Sequence, residues 1–393
     1  MKSWTLPVAL VLAVQTATTA IEVAVPVLGP VITSAAGVPP ESVGYVSSIV
    51  ALGSVLFFLF GSWVIRVFGP VRVLQLGATA SAVALLFALA ESWWLLLLGA
   101  LILGVGFGTN TPCGAVILRA WVPQSAGNFA FSVKQAGVPL GAIAAGTGLP
   151  ALAGLWSWQG ALISVACIAI TVAAITQLVR ARIESRVRSI EEQSRGPGLG
   201  LAQLASHLRN PRIARLCAAG TLFAMVQGSF YTFLVTFLFD AVDYPLAFAG
   251  VMYSLASVTG IAGRIGAGWI ADRILGGVRT MGALGIATGL SVGVFITFDP
   301  ASAELAVILG VAFAGLVVGS WNGVYLAVVA YEAPPGRVAE LSSVTAIAAF
   351  LGFLVGPVMF AQAVSITGGY HASFVLMGLA AVVGAAVLPR GST

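Results

Sequence analysis

The chain has 393 residues, of which 59% are hydrophobic and 8% charged, with a formal net charge of +5. A soluble protein carries about 25% charged residues, so a water-soluble fold is excluded, and with it the nucleic-acid binder that the net charge alone would suggest. Apolar runs recur from end to end without the roughly ten-residue alternating strands of a membrane barrel, which leaves an all-α, multi-pass membrane protein.

Twelve runs reach about 20 residues, the length that crosses a ~30 Å hydrocarbon core. They predict spans over Leu6–Thr33, Val43–Ile65, Val71–Ala90, Trp93–Val122, Phe129–Leu152 and Trp158–Val179 in the first half. In the second half they predict Ile213–Phe239, Ala247–Ile270, Thr280–Phe298, Leu305–Tyr331, Leu341–Ile366 and Ser373–Leu388. The first run begins just after Lys2 and is long enough to span, so it reads as a helix and not as a cleaved leader. The long polar stretch Arg180–Pro211 lies between the halves. It sets the expected organisation: bundle 1–179, inter-domain linker 180–211, bundle 212–393, with the linker arginines facing anionic headgroups.

Ionisable residues within a span are costly unless paired or hydrated, so each is a functional candidate. In the first span Glu22 follows Gln15, Thr16, Thr18 and Thr19. It suits a proton carrier; a fixed ion pair with Lys134 and a hydrated outer position are the alternatives. The fourth span contributes Asn110 and Thr111. In the fifth, Lys134 and Gln135 precede a stripe of Gly137, Gly141, Ala145 and Gly148. The stripe reads as a helix-packing seam, with Lys134 tied to a carbonyl or carboxylate, or as a cavity wall on which Lys134 attracts an anion. The seventh span adds Gln227 and Tyr231, the tenth Trp321 and Asn322. Each of these amides serves as well for a helix–helix hydrogen bond as for a ligand. Cys113, Cys167 and Cys217 have no metal-ligand spacing, and no phosphate-binding glycine loop occurs, so no cofactor or metal is expected.

The eighth span ends in GIAGRIGAGWIADRILGGVR, with Gly260, Arg264, Gly268 and Asp272 four apart on one helix face, then Arg273, Gly276-Gly277 and Arg279 in a tight turn. A weaker copy, GSWVIRVFGPVR, carries Gly61, Arg66, Gly69 and Arg72 but has Ile65 in place of the acid. Gly61 and Gly268 stand 207 residues apart, Gln15 and Gln227 212, Gly127 and Gly336 209, which marks a duplicated chain. Lysine and arginine gather at one set of loops and chain ends, from Lys2, Arg66 and Arg72 through Arg180–Arg215 to Arg273, Arg279, Arg337 and Arg390. The other loops carry Glu41, Glu91, Asp240, Asp243 and Asp299. The positive-inside rule then puts both termini in the cytoplasm, and the expected location is the bacterial inner membrane.

These residues resemble the major facilitator superfamily. Gly268, Asp272, Arg273, Gly276 or Gly277 and Arg279 match its loop signature, and the first copy departs from it at Ile65. The resemblance covers essentially the whole chain and implies two six-helix bundles that open alternately to each side of a central cavity, the loop residues acting as a gate. Arg264 in the eighth span resembles the arginine of oxalate and monocarboxylate carriers, and SVKQAGVPLGAIAAG resembles cyanate and nitrate permeases. In that fold spans five and eight face each other, so Lys134 and Arg264 would flank one cavity. The expectation is a monomeric secondary transporter of small organic anions, monocarboxylate-like and proton-coupled through Glu22. The alternative is a proton-coupled multidrug exporter. No nucleophile–base pair suggests an enzyme.

Overall fold

A computed structural model describes residues 4–123, 126–191, 209–332 and 338–389. Lys2, Arg195, Arg337 and Arg390 lie outside the described residues. Every regular element among the described residues is a helix. Eleven helical runs are long and apolar enough to cross a membrane, and His371–Val387 is a shorter apolar helix in the place of the twelfth.

Several spans are broken, and the sequence says why. The first consists of Thr5–Glu22 and Ala24–Ala35. Pro26 has no N–H to give the carbonyl four residues back, that of Glu22, so the ladder opens there. The fourth span breaks at Thr109, between helices ending at Gly108 and starting at Asn110. The tenth breaks at Gly319-Ser320, between Glu304–Val318 and Trp321–Glu332. Asn110 and Trp321, which open the second pieces, stand 211 residues apart, so the duplication extends to the breaks. The eighth span closes in a wide turn of π geometry, Ala271–Leu275, and Gly276 at φ +77° then starts helix Gly277–Val294.

The sixth span overruns its expected end at Val179 and continues as helix to Glu191, 34 residues in all. Ile183 and Val187, four apart, are each 1% exposed, and Ile183 joins an apolar cluster with Val71 and Ile117. The first part of the expected linker is therefore packed helix.

The chain divides into two compact units, 1–39 with 49–198 and 40–48 with 199–393. In the first unit Gly137 and Gly141 of the fifth span meet Gln15, Thr16 and Thr19 of the first, so this end of the small-residue stripe is a packing seam, while Gly148 faces open space. In the second unit the seventh span packs in the same way on the eleventh, where Gly352 and Gly356 lie against Thr221 and Met225. Residues 40–48 join this unit through Gly44, which lies on the Pro357 carbonyl and the Phe233 ring. Between the last two spans Tyr370 donates to Asp240 Oδ2 at 3.1 Å. Burial, and then the carboxylate beside it, pushes that phenol well above its ordinary pKa.

Candidate substrate site

The second unit brings five of the expected residues together around a glycine that the sequence does not single out. Gly319 sits at the break of the tenth span, where its carbonyl accepts from Arg264 Nε at 3.1 Å. A methyl group at Gly319 would lie 3.5 Å from Arg264 Nη2, 3.7 Å from Gln227 Nε2 and 3.9 Å from Tyr231 OH. Three polar groups from spans seven and eight thus converge on one empty point.

The orientation of Gln227 is fixed. Its Oε1 accepts from the Trp321 indole N–H at 3.0 Å and from Asn322 Nδ2 at 3.0 Å. An indole N–H can only donate, so it must meet the oxygen end of the amide. The Nε2 end then turns toward Gly319 as a donor. Trp321 is 2% exposed and wedged against Phe223 and Tyr325, with ring centroids 5.8 Å and 5.3 Å away, which holds the indole in place. Tyr231 donates weakly to the Ala256 carbonyl at 3.3 Å and stands edge-on to Tyr253. Among the described residues, neither the outer guanidinium nitrogens of Arg264 nor Gln227 Nε2 meets an acceptor. A fixed cation and a fixed amide donor, with no acid paired to them among the described residues, can together hydrogen-bond an anionic group.

The first unit holds the remaining candidates, and they do not gather in the same way. Lys134 is 3% exposed; its Nζ donates to Gln135 Oε1 at 3.1 Å, and its stem lies across Gly114 of the fourth span. The second unit holds a mirrored pair 211 residues on, Tyr325 for Gly114 and Thr345 for Lys134, with Tyr325 OH donating to the Thr345 carbonyl at 3.5 Å. Large and small have changed places between the repeats, so the Lys134 stem is at least a filler of that interface. Asn110 donates to Thr18 Oγ1 at 2.9 Å, tying the break of the fourth span to the first span. In the second unit Trp321 ties the tenth span to the seventh in the corresponding place. Glu22 ends the first piece of its span and is partly exposed. Among the described residues it makes no ion pair, so the fixed Glu22–Lys134 bridge considered above is not formed.

The residues of the two loop signatures are largely exposed. Arg66, Arg72, Asp272, Arg273 and Arg279 all face outward, Gly268 has open space, and Asp272 has no partner among the described residues. One residue there escaped the sequence reading. Glu184, placed by its neighbours in the polar linker, is 5% exposed and bonded to both Arg72 and Arg180. Its signal was the apolar pair Ile183 and Val187, which continues the helix of the sixth span.

The comparisons agree with this architecture. The profile of the Major Facilitator Superfamily matches residues 10–357. An uncharacterised MFS-type transporter of Mycobacterium tuberculosis is 24% identical over 367 residues, 92% of this chain and 79% of its own. Monocarboxylate transporter 13 of Bos taurus is 27% identical over 334 residues, 84% of this chain and 75% of its own. Among solved structures, a bacterial homologue of the human lysosomal transporter Spinster, inward-facing and occupied, superposes with a TM-score of 0.76 at 16% identity, covering 98% of this chain and 96% of that one. A mutant of the nucleoside transporter NupG gives 0.78 at 15% identity, covering 97% and 98%. These likenesses show the fold, and the profile match over most of the chain shows the family. The chain is a multi-pass membrane transporter, not an enzyme, and it belongs to the Major Facilitator Superfamily.

Proposed function

We propose that this transporter carries small organic anions, with monocarboxylates as the substrate class, by alternating access. The observation that carries the reading is the convergence of Arg264 Nη2, Gln227 Nε2 and Tyr231 OH on the bare face of Gly319. A carboxylate placed there accepts an N–H from the Arg264 guanidinium on one oxygen and an N–H from the Gln227 amide on the other. The name of one relative, monocarboxylate transporter 13, points the same way. Lys134 is the first unit's own candidate for attracting the anion. Proton symport through Glu22 offsets the charge of the anion, supported by a carboxyl that no cation neutralises among the described residues. The inner-loop arginines and Asp272 act as a gate at the cytoplasmic face, and the placement of basic residues supports a plasma membrane location with both termini inside. Both repeats lie in one chain, so the reading requires no second copy.

The test is a thermal-shift series on the purified protein with short monocarboxylates, inorganic anions and hydrophobic cations. A ligand that binds the folded state raises the melting temperature by mass action. Stabilisation by monocarboxylates that disappears in Arg264→Ala supports the reading. A response to hydrophobic cations alone overturns it in favour of a drug exporter.

A further inference from the structure

The first inner-loop turn carries the glycines and arginines of its signature but has Ile65 where the second copy has an acid. Ile65 is 6% exposed and belongs to the apolar cluster of the first unit, so no polar work is done from that position. The turn nonetheless needs an acceptor. Helix Pro70–Leu85 begins after Gly69, which has no side chain to cap it, and the first N–H groups of a helix have no partner within it.

Glu184, from the extension of the sixth span, meets that need. Its Oε1 accepts the backbone N–H of Arg72 at 3.0 Å, and its Oε2 accepts from Arg180 Nε at 3.0 Å. The carboxylate is buried, and a negative charge at a helix N-terminus is favourable. Gly69 is fitted to it twice. Its φ of +83° suits glycine, and a methyl group there would lie 2.7 Å from Glu184 Oε1. The second copy is built otherwise: Asp272 lies on its own helix, exposed, and helix Gly277–Val294 has no side-chain cap.

We infer that Glu184 supplies in space the acid that the first inner-loop copy lacks in sequence. It is a positioning residue that fastens the loop between spans two and three to the helix leading out of span six. That helix runs on toward the segment joining the two halves of the sequence, so its displacement would pull directly on the Arg72 turn. The functional consequence rests on the transporter assignment and not on the anion reading.

The experiment is amide hydrogen exchange on the full chain in nanodiscs without substrate, together with the rate at which a membrane-impermeant maleimide labels R72C from the cytoplasmic side. Glu184→Ala should speed exchange at residues 71–73 by about tenfold or more, as expected for a lost hydrogen bond to a charged group. Residues 278–280 of the second copy should not change. Glu184→Gln keeps an acceptor and removes the charge, and should give an intermediate exchange rate. Both variants should change the labelling rate of R72C. Unchanged exchange in either variant overturns the cap. Faster exchange with unaltered R72C labelling reduces Glu184 to a passive helix cap and overturns the positioning role. Should Glu184→Ala not fold, Glu184→Gln decides on the same two readouts. Because no substrate is present, failure of the anion reading leaves these outcomes intact.

Discussion

Trp321 donates its indole N–H to Gln227 Oε1 at 3.0 Å, and this bond decides which end of the Gln227 amide faces Arg264. Gln227→Glu keeps an oxygen for Trp321 and Asn322 but sets a negative charge where the amide donor was. Affinity for a monocarboxylate should fall by at least about a hundredfold, near 2.7 kcal/mol, while the fold persists. Gln227→Leu instead leaves the buried indole N–H without its acceptor, which costs about 1–3 kcal/mol, and the melting temperature should drop. Calorimetric titration and thermal melts on the same preparations separate the two effects. Wild-type affinity in Gln227→Glu would remove the amide from the site.

Gly319→Ala probes the empty point itself. The added methyl group meets its neighbours at 3.5–3.9 Å, ordinary van der Waals distances, so the protein should fold and melt as before. The methyl nevertheless fills the space where the donors converge. Anion affinity should fall about tenfold, or about 1.4 kcal/mol, and further in Gly319→Val. Equilibrium binding measures this, and an unchanged dissociation constant for both variants would place the anion elsewhere.

The two interior cations should differ in weight. The outer guanidinium nitrogens of Arg264 meet no acceptor among the described residues, so Arg264→Ala should weaken anion binding by about 1.5–3 kcal/mol, roughly ten- to a hundredfold. Arg264→Lys keeps the charge but loses the fork and should recover only part of the loss. Lys134 is already bonded to Gln135 and shielded. Lys134→Met keeps the stem that fills the interface with Gly114 and should cost less than about tenfold. An equal or larger effect at Lys134 in binding assays would move the anion site into the first unit.

Glu22 is tested by separating coupling from binding. Glu22→Gln should abolish accumulation of labelled monocarboxylate driven by a pH gradient in proteoliposomes. Exchange of substrate for substrate, which needs no net proton movement, should continue. If the variant still accumulates substrate with the wild-type pH dependence, the proton travels by another group.

Much of this was legible in the sequence because the bilayer imposes it. A ~30 Å apolar solvent forces about 20-residue helices and satisfies no backbone group, so composition and run length alone determine the fold class and the spans. The duplication was equally readable, because the repeats preserve glycine, glutamine and basic positions at similar offsets. Arg264, Gln227, Tyr231, Trp321 and Asn322 could be named as candidates because polar groups in a span are few.

What the sequence could not decide is which of them meet, since residues 227, 264 and 319 come from three helices whose rotations are set by packing. Gly319 carries no chemical signal of its own, and its part comes from what a missing side chain leaves open between Arg264 and Gln227. Lys134 and Arg264 look alike as lone cations in apolar runs. Tertiary packing lays one across Gly114 and bonds it to Gln135; it spends only the Nε of the other on Gly319 and leaves its outer nitrogens without an acceptor among the described residues. Glu184 was hidden for the opposite reason. It stands among charges that read as solvated linker, and the burial of Ile183 and Val187 draws the helix, and its carboxylate, onto the N-terminus of the third span.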